Sequence, residues 1–108
     1  MYPFVYILPD GLQATNEFWR WFLGLRDPTA QKRIAQRLDR LALGNHGDFK
    51  VIDRNLYELR LHHGPGWRVY YCRRGSVRVM LLAGGDKWSQ FRDIAQARQL
   101  LRHVKGKP

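Results

Sequence analysis

Acidic residues are scarce in this chain. Asp and Glu together number 9 against 19 Lys and Arg, so the 108 residues carry a formal charge of +10. For one small domain that exceeds what solubility alone requires. It points to a polyanionic partner: nucleic acid, an anionic membrane surface or an acidic protein. Cysteine is scarcer still. The single Cys72 excludes an internal disulfide framework and a cysteine-based zinc site. Late in a strand, it is expected as a small core residue, in a reducing compartment. No apolar run approaches the length that spans a bilayer. The opening stretch Met1-Tyr2-Pro3-Phe4-Val5-Tyr6-Ile7-Leu8 has neither the basic start nor the cleavage site of a secretory signal. A cytoplasmic protein without membrane contact is expected. There is no repeat, linker or low-complexity segment, so 1–108 reads as one domain with a polar tail at 105–108.

Hydropathy patterning divides this length into strands and helices. Residues 3–8 are aromatic and branched and predict a short first strand, closed by the turn tripeptide Pro9-Asp10-Gly11. Phe18, Trp21, Phe22 and Leu25 recur at helical spacing within Ala14 to Leu25 and predict an amphipathic helix whose aromatics pack in the core. Asp27 and Pro28 cap and start a second helix, and Gly44-Asn45 ends it. Ile34, Leu38 and Leu41 form its buried stripe. Lys32, Arg33, Arg37 and Arg40 lie largely off that stripe, as a solvated or a binding face. The short connection predicts that the two helices pack as an antiparallel pair.

From Gly47 the period changes from helical to two. Residues 47–52 read as a strand, and Asp53-Arg54-Asn55 as a turn. Leu56 to His62 and Gly66 to Cys72 then form a hairpin about a His63-Gly64-Pro65 turn. That register sets Leu61 opposite Trp67, Leu59 opposite Val69 and Tyr57 opposite Tyr71 on one face. On the other, Arg60 faces Arg68 and Glu58 faces Tyr70. Two arginines directly opposite repel. Either Glu58 neutralises one of them, or the pair awaits an anion such as phosphate. Ser76 to Ala83 is almost continuously apolar and predicts a central strand covered on both faces. Asp86 or Ser89 caps a last helix with Ile94, Ala97, Leu101 and Val104 on its buried side. The sum is an α+β domain with helices on an antiparallel sheet.

The residues exclude several chemistries. His62 and His63 are neighbours on or beside a strand and point to opposite faces, so they do not suit one metal. No Asp, Glu and His set has ligand spacing, and neither metal nor other cofactor is expected. No Ser-His-Asp arrangement stands out. Gly84-Gly85-Asp86-Lys87 shares only its glycines with a nucleotide-binding phosphate loop. What remains is a cationic set on or beside strands: Lys50, Arg60, Arg68 and Lys87. Metal-free phosphodiester cleavage needs a base, cations for the phosphorane and a proton donor for the leaving oxygen. Arg60 and Arg68 are candidate phosphate clamps. Like charges disfavour the protonated form of a lysine set among arginines, which makes Lys87 or Lys50 the candidate base.

These residues also carry a family resemblance. Phe18 to Leu25, Leu41-Ala42-Leu43-Gly44-Asn45, Gly47-Asp48-Phe49-Lys50, Glu58-Leu59-Arg60-Leu61, the Gly64 to Tyr71 stretch and Gly84-Gly85-Asp86-Lys87 are followed by Gln90, Asp93-Ile94 and Ala97. The series resembles the RelE/HigB toxins of bacterial type II toxin–antitoxin modules, in the branch of phage-related addiction module killer proteins. The resemblance implies a RelE-like fold: two N-terminal helices on a twisted antiparallel sheet of about four to five strands, plus a C-terminal helix. It implies a metal-independent endoribonuclease (an mRNA interferase) that cuts mRNA at the ribosome. The 2′-hydroxyl attacks, leaving a cyclic phosphate and a 5′-hydroxyl. By position, Arg60 and Arg68 match the strand cations that hold the scissile phosphate. Lys87 matches a basic residue that assists the leaving group or charge stabilisation. Lys50 matches a lysine that acts as base, and the base and acid roles stay open between these two lysines.

RelE-type enzymes carry a C-terminal tyrosine that stacks on the substrate base, and this chain has no Tyr after Tyr71. Trp88 or Phe91 either stacks in its place or packs in the core. With Arg37 and Arg40 on the second helix, these two are the candidate substrate-binding residues. The implied partners are mRNA, the ribosome and a cognate antitoxin of the helix-turn-helix repressor kind, with operator DNA reached only through the antitoxin. Two other classes compete: a ParE-like gyrase inhibitor on the same fold, and a non-enzymatic nucleic-acid-binding module.

Overall fold

The computed structural model describes residues 5–7, 11–75 and 78–105. Its elements are β1 (Val5–Ile7), β2 (Gln13–Thr15), α1 (Asn16–Leu23), α2 (Pro28–Ala42), β3 (Phe49–Asp53), β4 (Leu56–Arg60), β5 (Trp67–Arg74), β6 (Arg78–Asp86) and α3 (Gln90–Lys105). The six strands form one sheet in the order β1-β2-β6-β5-β4-β3. The strands β3 to β6 are an antiparallel meander, whereas β2 runs parallel to β6. The sheet is therefore mixed and larger than the expected antiparallel sheet of about four to five strands.

That difference originates in Gln13–Thr15, of which the helical spacing had assigned Ala14 and Thr15 to the first helix. β6 is apolar on both faces, and its side away from β5 needs a hydrogen-bonding neighbour. Gln13 and Ala14 supply one, in register with Met80 and Leu81. Thr15 then makes the transition to helix. Its hydroxyl accepts from Phe18 N at 3.1 Å and donates to Leu82 O at 2.6 Å. One side chain thus caps α1 and pins it to the central strand. The second helix begins as its sequence predicts, with Asp27 accepting from Thr29 N at 2.9 Å and Pro28 in the first turn. It ends where Gly44 takes φ +91°, a backbone shape only glycine adopts cheaply. Pro9 and Asp10 of the expected first turn lie outside the described residues, as do Ser76, Val77 and the tail 106–108.

Helices cover both faces of the sheet. Phe18 of α1 and Ile34, Leu38 and Leu41 of α2 pack with Leu59, Leu61, Val69, Tyr71 and Leu81. Trp21, Phe22 and Leu25 flank this core as expected. On the opposite face Ala97, Leu100, Leu101 and Val104 of α3 pack with Leu56, Tyr70, Cys72, Met80 and Leu82. Cys72 is the small core residue anticipated. The β5–β6 register slips between Tyr70 and Tyr71, leaving Leu82 as an extra residue. Beyond this bulge Gly84 and Gly85 present bare backbone to either side. A Cβ on Gly84 would fall 2.1 Å from the Trp21 ring, and one on Gly85 would fall 1.8 Å from Asp93 Oδ2. The two glycines therefore let α1 and α3 close on the end of β6. Among the described residues no helix is long and apolar enough to cross a membrane.

Candidate functional site

The hairpin has the anticipated register: Arg60 opposite Arg68, Leu59 opposite Val69, Glu58 opposite Tyr70 and Tyr57 opposite Tyr71. Leu61 N donates to Trp67 O at 3.0 Å, and Gly66 N closes the turn on His63 O at 3.1 Å. The odd-numbered arm faces α1 and α2, which places Glu58, Arg60, Arg68 and Tyr70 on the α3 face.

Glu58 is the hub of that face, with no exposed surface. Its Oε1 accepts from Arg60 Nε at 2.7 Å. Its Oε2 accepts from Tyr70 Oη at 3.0 Å and from Gln90 Nε2 at 2.8 Å. Arg68 Nε stands 3.9 Å from Oε1. The repulsion between the arginines is thus answered by a carboxylate beneath them. Burial is the largest influence on Glu58 and raises its pKa. Hydrogen bonds from Arg60, Gln90 and Tyr70, with the Arg60 charge, outweigh it and leave the carboxyl below its usual range. Burial and the nearby Glu58 charge push the Tyr70 hydroxyl well above its ordinary value, so it is a donor to Glu58 and not an acid near neutral pH.

The two arginines differ in access. The Arg60 side chain is 30% exposed and that of Arg68 only 9%. Arg68 Nη1 donates to Gly66 O at 3.1 Å and to Trp67 O at 3.2 Å, and its Nε has no hydrogen-bond partner among the described residues. Gly66, at φ +77°, separates Arg68 from Lys87: a Cβ there would meet Arg68 Nη1 and the Lys87 side chain, each at 3.4 Å. Lys87 N also donates to Pro65 O at 3.4 Å. The turn therefore joins Arg68 to Lys87, which follows β6. Lys87 Nζ lies 5.0 Å from the centroid of the Trp88 ring. Trp88 is 80% and Phe91 91% exposed. Neither packs in the core; Trp88 stands beside Lys87 and Phe91 in the first turn of α3.

Arg60, Arg68 and Lys87 are thus brought together. Lys50 is opposite Glu58 in the β3–β4 register, on the same face but exposed. Arg37 and Arg40 are not brought to the pair, because α2 covers the other face. Arg40 is exposed. Arg37 instead donates to Arg60 O at 2.6 Å, His46 O at 3.3 Å and Asp48 O at 3.1 Å. Its guanidinium fastens the end of β4 to the 46–48 loop, and burial lowers its pKa most, partly offset by Asp48.

Sequence reasoning treated Glu58 as a counter-charge for one arginine and did not foresee that Tyr70 and Gln90 fix it. Gln90 reaches it from 32 residues away, beyond any local pattern. A second cluster was also missed. On the α2 face His46 Nδ1 is 2.6 Å from Tyr71 Oη, and Arg73 Nη2 donates to His46 Nε2. Burial first, then the Arg73 charge, lower the His46 pKa. Tyr71 is pushed up to about 12, chiefly by burial. Among the described residues no group of three or more His, Cys, Asp or Glu is placed to hold a metal ion.

Comparison with known proteins gives one family. The family model described as "Phage derived protein Gp49-like" matches residues 20–102, which include the whole hairpin and α3 as far as its last turn. An uncharacterized protein of Haemophilus influenzae is 39% identical over 93 residues, covering 86% of this chain and 94% of the relative. No solved structure matches the chain significantly.

Proposed function

The chain belongs to the phage-derived Gp49-like family, a family of addiction-module killer, toxin-like proteins, and on that premise we propose that it is an endoribonuclease toxin that cuts mRNA on the ribosome. Such a family implies a cognate antitoxin. In this reading the antitoxin is a helix-turn-helix repressor that covers the basic surface and alone touches operator DNA. The fold reading is RelE-like, supported by the pair of N-terminal helices, the C-terminal helix and the cationic hairpin.

One observation carries the chemical reading: Arg60, Arg68 and Lys87 meet at the turn end of the hairpin, beside the exposed ring of Trp88. Arg60, the accessible guanidinium, contacts a non-bridging phosphate oxygen. Arg68 lies beneath and adds a positive field in a region of low dielectric. The substrate 2′-hydroxyl gives its proton to a base, and its oxygen forms the new bond to phosphorus. The 5′-oxygen leaves with a proton. The products are a 2′,3′-cyclic phosphate and a 5′-hydroxyl, and no metal takes part. Lys50 and Lys87 share the base and acid roles. Trp88 and Phe91 offer faces on which bases stack.

The test is expression of the chain, Arg60→Ala and Arg68→Ala, with mRNA 5′ ends mapped in each. Codon-phased ends in the wild type, absent from both variants, are the expected result. An unchanged cut pattern in both variants would refute the assignment. A second reading has its own support. Arg68 is nearly buried and bonded to carbonyls of its own turn, as in a structural element of a non-enzymatic nucleic-acid-binding module. That reading predicts bound RNA with no cut ends.

A further inference from the structure

Two guanidiniums share one face of the hairpin, and among the described residues Glu58 is the carboxylate that pairs with both. Glu58 Oε1 lies 2.7 Å from Arg60 Nε and 3.9 Å from Arg68 Nε. With no surface of its own, Glu58 cannot touch a ligand. Its second oxygen is taken by Tyr70 and Gln90, so it is fixed between two strands and α3. It engages Arg60 through Nε, which leaves the two Nη groups to meet a ligand. Charge that is buried and fixed in this way acts on a bound anion with little screening. Lys87 is exposed, and solvent weakens its contribution.

We propose that Glu58 is a positioning residue that tunes this site to phosphodiesters. Within this ion-paired group, two guanidiniums less the Glu58 carboxylate leave one net positive charge. That matches the single negative charge of an internal nucleic-acid linkage. It falls one short of a phosphomonoester, which carries nearly two negative charges above its second pKa of about 6. Glu58 thereby directs the site to internal linkages and away from phosphorylated ends. It also turns Arg60 outward by holding its inner nitrogen. The inference rests on the reading of this face as a phosphate site and adds what the site rejects.

The test is calorimetric titration of the full chain with two probes at about pH 8, where a monoester is doubly charged. One probe is a dinucleoside monophosphate whose first sugar is 2′-deoxy, so that it is not cut. The other is a nucleoside 3′-monophosphate. Wild-type protein is expected to bind the diester at least as tightly as the monoester. Glu58→Gln adds one net positive charge and should move the affinity ratio toward the monoester by about tenfold or more. Glu58→Gln combined with Arg60→Gln restores the count without a buried ion pair. It should return the ratio to within about threefold of wild type, even though both affinities fall.

A folded Glu58→Gln protein with the wild-type ratio would overturn the proposal. So would a wild type that prefers the monoester. Should Glu58→Gln alone not fold, the double variant decides, and a monoester preference there is the refuting result. Selective diester binding by a protein that cuts no RNA would remove the nuclease reading and leave this one standing.

Discussion

Gly85→Ala is the substitution that strikes the fold and the site together. Gly85 pairs with Arg68 across β5–β6 and lies under the start of α3. The added methyl carbon would sit 1.8 Å from Asp93 Oδ2, 2.7 Å from Asp93 Cγ and 2.8 Å from Ser89 Oγ. Asp93 is only 5% exposed and accepts a hydrogen bond from Ser89 Oγ, so it has little room to withdraw. Overpacking of this kind costs about 1–3 kcal/mol, and loss of the Ser89–Asp93 bond adds about 1 kcal/mol. The sum, about 2–4 kcal/mol, is a large part of the roughly 5–15 kcal/mol that holds a domain folded. At about 4–8 °C per kcal/mol for a chain near this length, Tm should fall by about 8–32 °C. Differential scanning calorimetry measures it, with Gly75→Ala as comparison. At Gly75 a Cβ meets nothing within 4 Å and only the φ of +73° is strained, so about 1 kcal/mol is expected. Asp93→Ala in the Gly85→Ala background removes the two nearest obstructing atoms and should recover part of the stability, giving a coupling of at least about 1 kcal/mol. A Gly85→Ala protein that melts within about 3 °C of wild type would refute the packing argument.

Other perturbations act at single points. Glu58→Ala leaves two guanidiniums without their counter-charge and should cost about 3–5 kcal/mol in urea unfolding; a loss under about 1 kcal/mol would mean that water replaces the carboxylate. Because the folded His46 pKa is depressed, the unfolded chain takes up that proton first, at about 6.5. His46 therefore contributes stability that is complete above about pH 6.5 and is lost as pH falls toward the folded value. Comparing Tm at about pH 7.5 and pH 5.5 should show a drop that His46→Gln reduces, and an equal drop in both proteins would exclude His46 as its source. Trp88→Ala and Phe91→Ala should each change stability by no more than about 0.5 kcal/mol, while weakening single-stranded RNA binding by about 1–3 kcal/mol where the ring stacks on a base.

Much of the fold was legible because its signals are local. Period-two alternation across Leu56 to Cys72, with Gly64-Pro65-Gly66 between the arms, fixes a register that the hydrogen bonds follow pair by pair. Asp27-Pro28 and Gly44 bound α2 at nearly the residues their chemistry demands. The strand β2 was illegible for the opposite reason. It has three residues, too few for a period, and its parallel partner lies 67 residues on. Ala14 and Thr15 read as helix because they adjoin one, and only the exposed edge of β6 requires them to be strand. The split of the helices between two faces was also hidden. A continuously apolar β6 says that both faces are covered but not which helix covers which.

The site divides along the same line, and the division says why Glu58 escaped a fuller reading. That Arg60 opposes Arg68 follows from the register alone. Whether such a pair is a defect or a device depends on what lies beneath it, and those groups come from Tyr70 across the hairpin and Gln90 on α3. Arg37 shows the converse error. Its place off the apolar stripe of α2 suggested a cation offered to a substrate, yet three carbonyls take its guanidinium. Helical position reports only the direction of Cβ, and a long side chain can return to the protein from there. A cation on this surface is therefore free to bind an anion only after its protein acceptors have been counted. By that count Arg60 is held through one nitrogen and Arg37 through two. The site that remains is consequently small, and it depends on α3 staying docked through Gln90 and Asp93.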